Sequence, residues 1–398
     1  MQITTNKKHP GLRTEDGRVK LFPAFFTTLY ILAAASFMAI VIFSDILNNE
    51  SYIYLLASLA VPVIGIALCA KLTTTFKPLV PFCIISAIIA FMGANLALAA
   101  MFISFIITVA LCAYLMREHL SLLAVLSVIG ACVTVFSLSG NILLGASAII
   151  FFPVSLALFL AFKQKKQRVA SVCSMALTLA VTLIVLFAAW IYVLEGSLSI
   201  DTLKGFFSIL REELIKAISS AFTLATEQIG AEVNLSSVNA LIIMATTTFF
   251  NFFPAIFCIG LLVISYVIHS LYISVISPTV KDASEIATAI TFNMSLTSAL
   301  LFFMALIAAL ILDREGLPMY AAAAQNIYVI LIPGFTLITF GFVGGFAKGK
   351  NASCFGSLLY IGLFALLFFM TGTALAIISF VGAILVIISA IKNRKTKK

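Results

Sequence analysis

Apolar runs long enough to cross a bilayer recur along this chain from residue 21 to residue 391, and this feature decides what the chain can fold into. Inside hydrocarbon a peptide group has no water to bond, so each run must close its backbone hydrogen bonds within itself as a helix. The expected class is therefore all-α, a polytopic transmembrane helical bundle. Composition agrees: 63% of the 398 residues are hydrophobic and 10% are charged, too little charge to cover a water-soluble fold of this size.

Dividing the runs at polar, basic and small-residue breaks predicts about 12 spans, within a range of 9–12: residues 21–44, 52–70, 78–94, 96–116, 120–136, 142–162, 169–194, 239–268, 290–312, 321–346, 353–370 and 373–391. The divisions near Gly93 to Asn95 and Thr371 to Thr373 rest on small and polar residues alone. Basic residues gather in "FKQKKQR", with Lys163, Lys165, Lys166 and Arg168, and in the carboxyl tail "KNRKTKK". By the positive-inside rule these stretches are cytoplasmic, which puts both termini inside. The net charge of +9 then belongs to membrane topology and gives no reason to expect a nucleic-acid partner. The expected organisation is a flexible cytoplasmic tail (1–20), a first membrane half (21–194), an exterior connection (195–238), a second membrane half (239–392) and a basic tail (393–398).

Within the exterior connection, Leu203, Phe206, Phe207, Leu210, Leu214, Ile218 and Phe222 recur at helical spacing, while Lys204, Arg211, Glu212 and Lys216 occupy the other side. This predicts one amphipathic helix over 201–229, with Asp201 as its cap. It would lie on the membrane surface or close over the exterior mouth of the bundle.

No expected span carries Asp, Glu, Lys or Arg near its middle, which argues against a proton-driven antiporter or an ion pump. The polarity inside the spans is neutral. In "TTTFFNFFPAIFCIG" Pro254 removes a backbone donor, Asn251 supplies an amide beside the gap, and Thr247 lies one turn earlier. Pro62, Pro153 and Pro333 are further expected helix kinks, and Asn326 precedes Pro333 by two turns. Asn293 opens a span whose first turns also carry Ser295 and Ser298. The reading assigns Asn251, Thr247, Asn293 and Asn326 to a solute site, with stitching between helices as the competing role. Gly341, Gly345 and Gly349, four residues apart, form a small-residue face for helix packing, inside the chain or between subunits.

Catalytic signals are weak. His9, His119 and His269 are dispersed, the latter two beside span ends, and no His, Cys, Asp and Glu spacing suits a metal. No "GxxxxGKS" loop is present, so the chain is expected to hydrolyse no ATP, to hold no cofactor or metal and to be no enzyme. Its seven cysteines read as small buried hydrophobes.

The segments "FFPVSLALFLAFKQKKQ", "REELIKAI", "FFPAIFCIGLLVISYVIHSLY" and "QNIYVILIPGFTLITFGFVGGFAKGK" follow one another as in the YybS-like family of multispanning bacterial membrane proteins, which this chain resembles over residues 50–392. That family resembles the substrate-binding membrane subunits of energy-coupling-factor transporters. The resemblance implies solute capture by a helical bundle, energised by a separate coupling module. After Tyr266 the chain departs from the family pattern, lacking an expected Asn-Tyr pair and the arginine cluster that follows it. The resulting expectation is a multi-pass protein of the bacterial cytoplasmic membrane that binds or transports a small neutral or amphiphilic solute. The alternative is a noncatalytic scaffold or assembly factor for envelope proteins. The partners these readings allow are the lipid bilayer, such a solute, and a coupling or envelope protein.

Overall fold

The computed structural model describes residues 11–14, 16–43, 52–72, 96–229, 235–280, 284–348 and 371–395. The expected spans 78–94 and 353–370, together with Gly349, lie outside the described residues. The helices are α1 (Leu21–Phe43), α2 (Tyr52–Leu72), α3 (Leu96–Arg117), α4 (Ser121–Ser139), α5 (Ile142–Ser147), α6 (Phe151–Lys163), α7 (Arg168–Glu195), α8 (Ile200–Ile229), α9 (Leu235–Ile276), α10 (Ser284–Ile290), α11 (Leu296–Arg314), α12 (Pro318–Lys348) and α13 (Thr371–Lys395). Among the described residues 9 helical segments are long and apolar enough to cross a membrane. The protein is an all-helical polytopic membrane protein with about 9–12 apolar spans.

The chain forms two compact units. The first comprises residues 1–196 and 261–291. Its centre is α3, apolar on every side and covered by α1, α2, α4 and α6, as expected of a helix without an outward polar face. Val109, Ala110, Leu111, Cys112, Ala113 and Tyr114 are fully buried there. Ser155 of α6 locks onto it by donating to the Val109 carbonyl at 3.2 Å while also bonding back to Phe151 at 2.7 Å. The span expected at 142–162 is interrupted: α5 passes through a 3₁₀ turn (Ala148–Ile150) before α6, and Pro153 occupies the first turn of α6, where its missing donor costs little. Of the other expected kinks, Pro62 lies inside α2, Pro254 inside α9 and Pro333 inside α12.

Within the expected tail, residues 11–14 and 16–20 form a docked turn. Arg13 and Val19 make an isolated bridge, Leu12 is fully buried, and the Leu12 N–H donates to Tyr114 Oη at 3.4 Å. Arg13 reaches Glu118 through a 3.2 Å ion pair and donates to its carbonyl at 2.6 Å. The mixed composition of the segment gave no hint of Leu12 as an anchor, because its receptor is the end of α3, about a hundred residues away. Helices α3 and α6 end in Schellman turns with His119 (φ 61°) and Lys165 (φ 52°) in the left-handed position.

The second unit comprises residues 197–260 and 292–398. Its described core joins Ala299 and Phe302 of α11, Phe335 of α12, and Ala383 and Val386 of α13. The Phe302 and Phe335 rings meet edge to face with centroids 5.3 Å apart. Thr339 donates to the Ile378 carbonyl at 2.8 Å, tying α12 to α13.

Three expectations are corrected. Helix α8 is capped by Ser199, whose Oγ accepts from Thr202 N at 3.0 Å, while Asp201 lies inside the first turn, where it still favours the helix dipole. The span expected at 239–268 is a 42-residue helix running from Leu235 to Ile276. Ser270 and Ser274 bond back to carbonyls one turn earlier, and the helix stops only at the 3₁₀ turn containing Pro278. The span expected from 290 begins at Leu296, capped by Ser295, because residues 291–295 are non-helical.

Among the described residues, a Cβ on Gly341 would meet nothing within 4 Å, and the surroundings of Gly345 lie outside the described side chains. A Cβ on Gly382 of α13 would strike the Phe335 carbonyl and lie 2.8 Å from Thr339 Oγ1. Gly382→Ala should therefore destabilise the protein by about 2 kcal/mol, whereas Gly341→Ala should stay within about 0.5 kcal/mol of the parent, as read by thermal unfolding in detergent.

Candidate functional site

Three of the four expected site residues lie on α9 (Thr247, Asn251) and α12 (Asn326) in the second unit. Pro254 has no N–H to give to the carbonyl one turn earlier, which weakens the backbone ladder at that turn. The next pair, the Asn251 carbonyl and the Ala255 N–H, is straddled by the amide of Asn326. Its Oδ1 accepts from Ala255 N at 3.0 Å and its Nδ2 donates to Asn251 O at 2.8 Å. Nδ2 also donates to Ala322 O on its own helix at 2.8 Å. Both ends of this side chain are thus engaged in holding two helices together beside the proline. The Asn251 side chain takes no part in that bridge and is exposed, because the group used is its backbone carbonyl.

One turn before Asn251, Thr247 Oγ1 donates to Ile243 O at 2.7 Å and accepts from Arg211 Nη2 at 2.7 Å. Arg211 comes from the amphipathic helix α8, and its guanidinium is half-buried. Positions 247, 251 and 255 follow a four-residue spacing, so hydroxyl, amide and the Asn326-bound backbone lie along one face of α9. The sequence pattern put Arg211 on the charged side of α8 and gave no reason to pair it with Thr247, since no local spacing encodes a contact between separate helices. On the same helix Lys216 pairs with Glu213 at 2.8 Å, and that hydrogen bond raises the lysine pKa; both side chains are well exposed, so the pair adds little stability.

Asn293 stands outside this hydrogen-bonded group. It is exposed in the non-helical link before α11. Its neighbour Met294 packs toward Gly334, where an added Cβ would come within 3.0 Å of Met294 Cε.

In the first unit, α4, α5 and α6 frame an open apolar groove of about 620 Å³, lined by residues such as Val128, Cys132, Phe136, Ile149 and Phe152. It offers contact to hydrocarbon and no hydrogen-bonding chemistry. No group of three or more His, Cys, Asp or Glu placed to hold a metal occurs among the described residues.

Because Asn326 satisfies two groups of a neighbouring backbone, Asn326→Leu should destabilise the protein by about 2–3 kcal/mol. Asn251→Ala, which retains the carbonyl used in the bridge, should change stability by less than about 1 kcal/mol. Thermal unfolding of the two variants in one detergent checks the pair.

The chain belongs to the family described as "Predicted membrane protein (DUF2232)", whose model matches residues 84–384. No curated protein and no solved structure matches it.

Proposed function

We propose that this protein binds a small neutral or amphiphilic solute and carries it across the bacterial cytoplasmic membrane, both termini lying inside. One observation carries the reading: the face of α9 that presents Thr247 and Asn251 beside the Pro254 break, with Arg211 of α8 held against Thr247. A proline that removes one ladder hydrogen bond from a continuous membrane helix is a common place for solute recognition, because polar groups near the weakened turn can face a ligand. Asn326 satisfies the backbone beside the proline, while Thr247 and the exposed Asn251 amide are the groups assigned to the solute. Asn293 is the remaining candidate and acts, on this reading, at the entrance to α11.

Helix α8 is then the exterior amphipathic helix, and Arg211 links its position to the solute face. The protein performs no covalent chemistry. Energy for movement comes from a partner, such as a coupling module, since the sequence carries no phosphate-binding loop.

A second reading, an envelope scaffold, draws support from Gly341. No described residue covers it, and its α12 face would admit a helix of another protein.

The test uses purified full-length protein, its Asn251→Ala/Thr247→Val variant, and a deletion strain complemented by either. The probes are nucleosides, polyols, sugars and water-soluble vitamins. Transport predicts that at least one class raises the melting midpoint of the parent, that the variant loses the rise, and that the variant complements poorly. Full complementation by the variant, with no probe shifting the parent, would overturn it in favour of the scaffold.

A further inference from the structure

The first unit holds unpartnered polar chemistry at its basic end, where α6 passes to α7 through Lys163, Lys165 and Lys166. Arg168, the first residue of α7, lays its guanidinium 4.1 Å from the centre of the Tyr266 ring and donates from Nη2 to Ser270 Oγ. Its backbone N–H donates to Thr291 O at 3.3 Å. The side chain is therefore fixed in direction by α9, yet its Nε is buried without a partner.

On the same stretch of α9, His269 and Tyr272 pack against the Phe162 ring with centroids 5.2 and 4.7 Å away. Both are fully buried. Among the described residues, neither nitrogen of His269 nor the hydroxyl of Tyr272 has a hydrogen-bond partner. A buried polar atom left unpaired is costly, and four such atoms within a few residues of one helix and its neighbour call for an occupant.

The surrounding charge selects its sign. Arg117 at the end of α3 donates to Thr279 Oγ1 at 2.8 Å, and the adjacent acid Glu118 is neutralised by its ion pair with Arg13. Lys163 and Lys165 are exposed, and Lys166 is half-buried. Guanidinium, imidazole and phenol all donate hydrogen bonds, a set suited to oxygens that spread negative charge.

We propose that the basic end of the first unit binds a phosphate group, with Arg168 as its cationic ligand and His269 and Tyr272 as hydrogen-bond donors. The group arrives either as the headgroup of an anionic phospholipid or as a free phosphate. Basic pockets between membrane helices suit the first source, and the lysine-rich turn beside Arg168 steers either one. This site involves none of the residues assigned to the solute.

The experiment measures the melting midpoint of the full chain in detergent with three additions: phosphatidylglycerol, phosphatidylcholine, and inorganic phosphate against chloride at equal ionic strength. The variants are Arg168→Gln, Arg168→Lys, His269→Phe and Tyr272→Phe. A phosphatidylglycerol-dependent rise absent with phosphatidylcholine identifies a headgroup, and a rise with inorganic phosphate identifies a free ligand. Arg168→Gln should weaken the apparent affinity about tenfold, and Arg168→Lys should recover part of that loss.

The two phenylalanine variants separate binding from folding. Removing an unpaired buried polar group in favour of an apolar one should leave the unliganded midpoint unchanged or higher, while the ligand-dependent rise shrinks. The proposal is overturned if phosphatidylglycerol and phosphatidylcholine act alike and phosphate does nothing, or if Arg168→Gln responds as the parent does.

Discussion

A peptide group in hydrocarbon must find its partner inside the protein, and the rest of this structure is arranged around that requirement. Many serine and threonine hydroxyls in the spans return to carbonyls one turn earlier, as Thr27 does to Pro23 and Thr182 to Thr178. These groups can therefore sit in apolar surroundings without an external donor or acceptor. Where a proline weakens the ladder in α9, the repair comes from another helix through Asn326. The same amide thereby fixes the contact between α9 and α12, so backbone closure and helix packing are a single interaction at this point.

Packing elsewhere depends on the absence of side chains at particular places. Gly382 lets the α12 backbone approach α13, and Gly145 brings α5 against the Cys132 carbonyl of α4, where an added Cβ would lie 2.9 Å from that oxygen. Hydrophobicity cannot select these partners, because lipid is as apolar as leucine. Shape and a few directed hydrogen bonds, such as Thr339 to Ile378, must do so.

The spans were legible because their signal is local: a run of apolar residues between charges is visible whatever it packs against. Eight expected starts or ends in α1, α2, α3 and α7 fall within two residues of the helices. Errors arose where a helix continues through polar residues. The sequence "HSLYISVI" reads as a span ending at His269, yet its serines bond within the helix and its tyrosine is buried, so the helix continues to Ile276. The polar start at Thr291 and Asn293 failed in the opposite direction, since Ser295 makes a better cap than the residues before it make a first turn. Of the proposed site, residue type singled out Pro254 and Asn326 but left Asn326 between solute ligand and stitch between helices, and its bonds to the α9 backbone are of the second kind. Arg211 on Thr247 and Arg168 on Tyr266 could not be anticipated, because a pattern within one helix says nothing about which neighbour it will face.

The first unit is not contiguous in the chain: it needs residues 261–291 in addition to 1–196. Arg168 meets Ser270 across 102 positions, and Arg117 meets Thr279 across 162. A ribosome delivers the chain from one end, so α3 and α7 enter the membrane well before the partners of their arginines exist. The unit must wait, incompletely assembled, while residues 197–260 are synthesised. Its final closure is set by the emergence of the late part of α9, which makes the order of biosynthesis a constraint on how this protein matures.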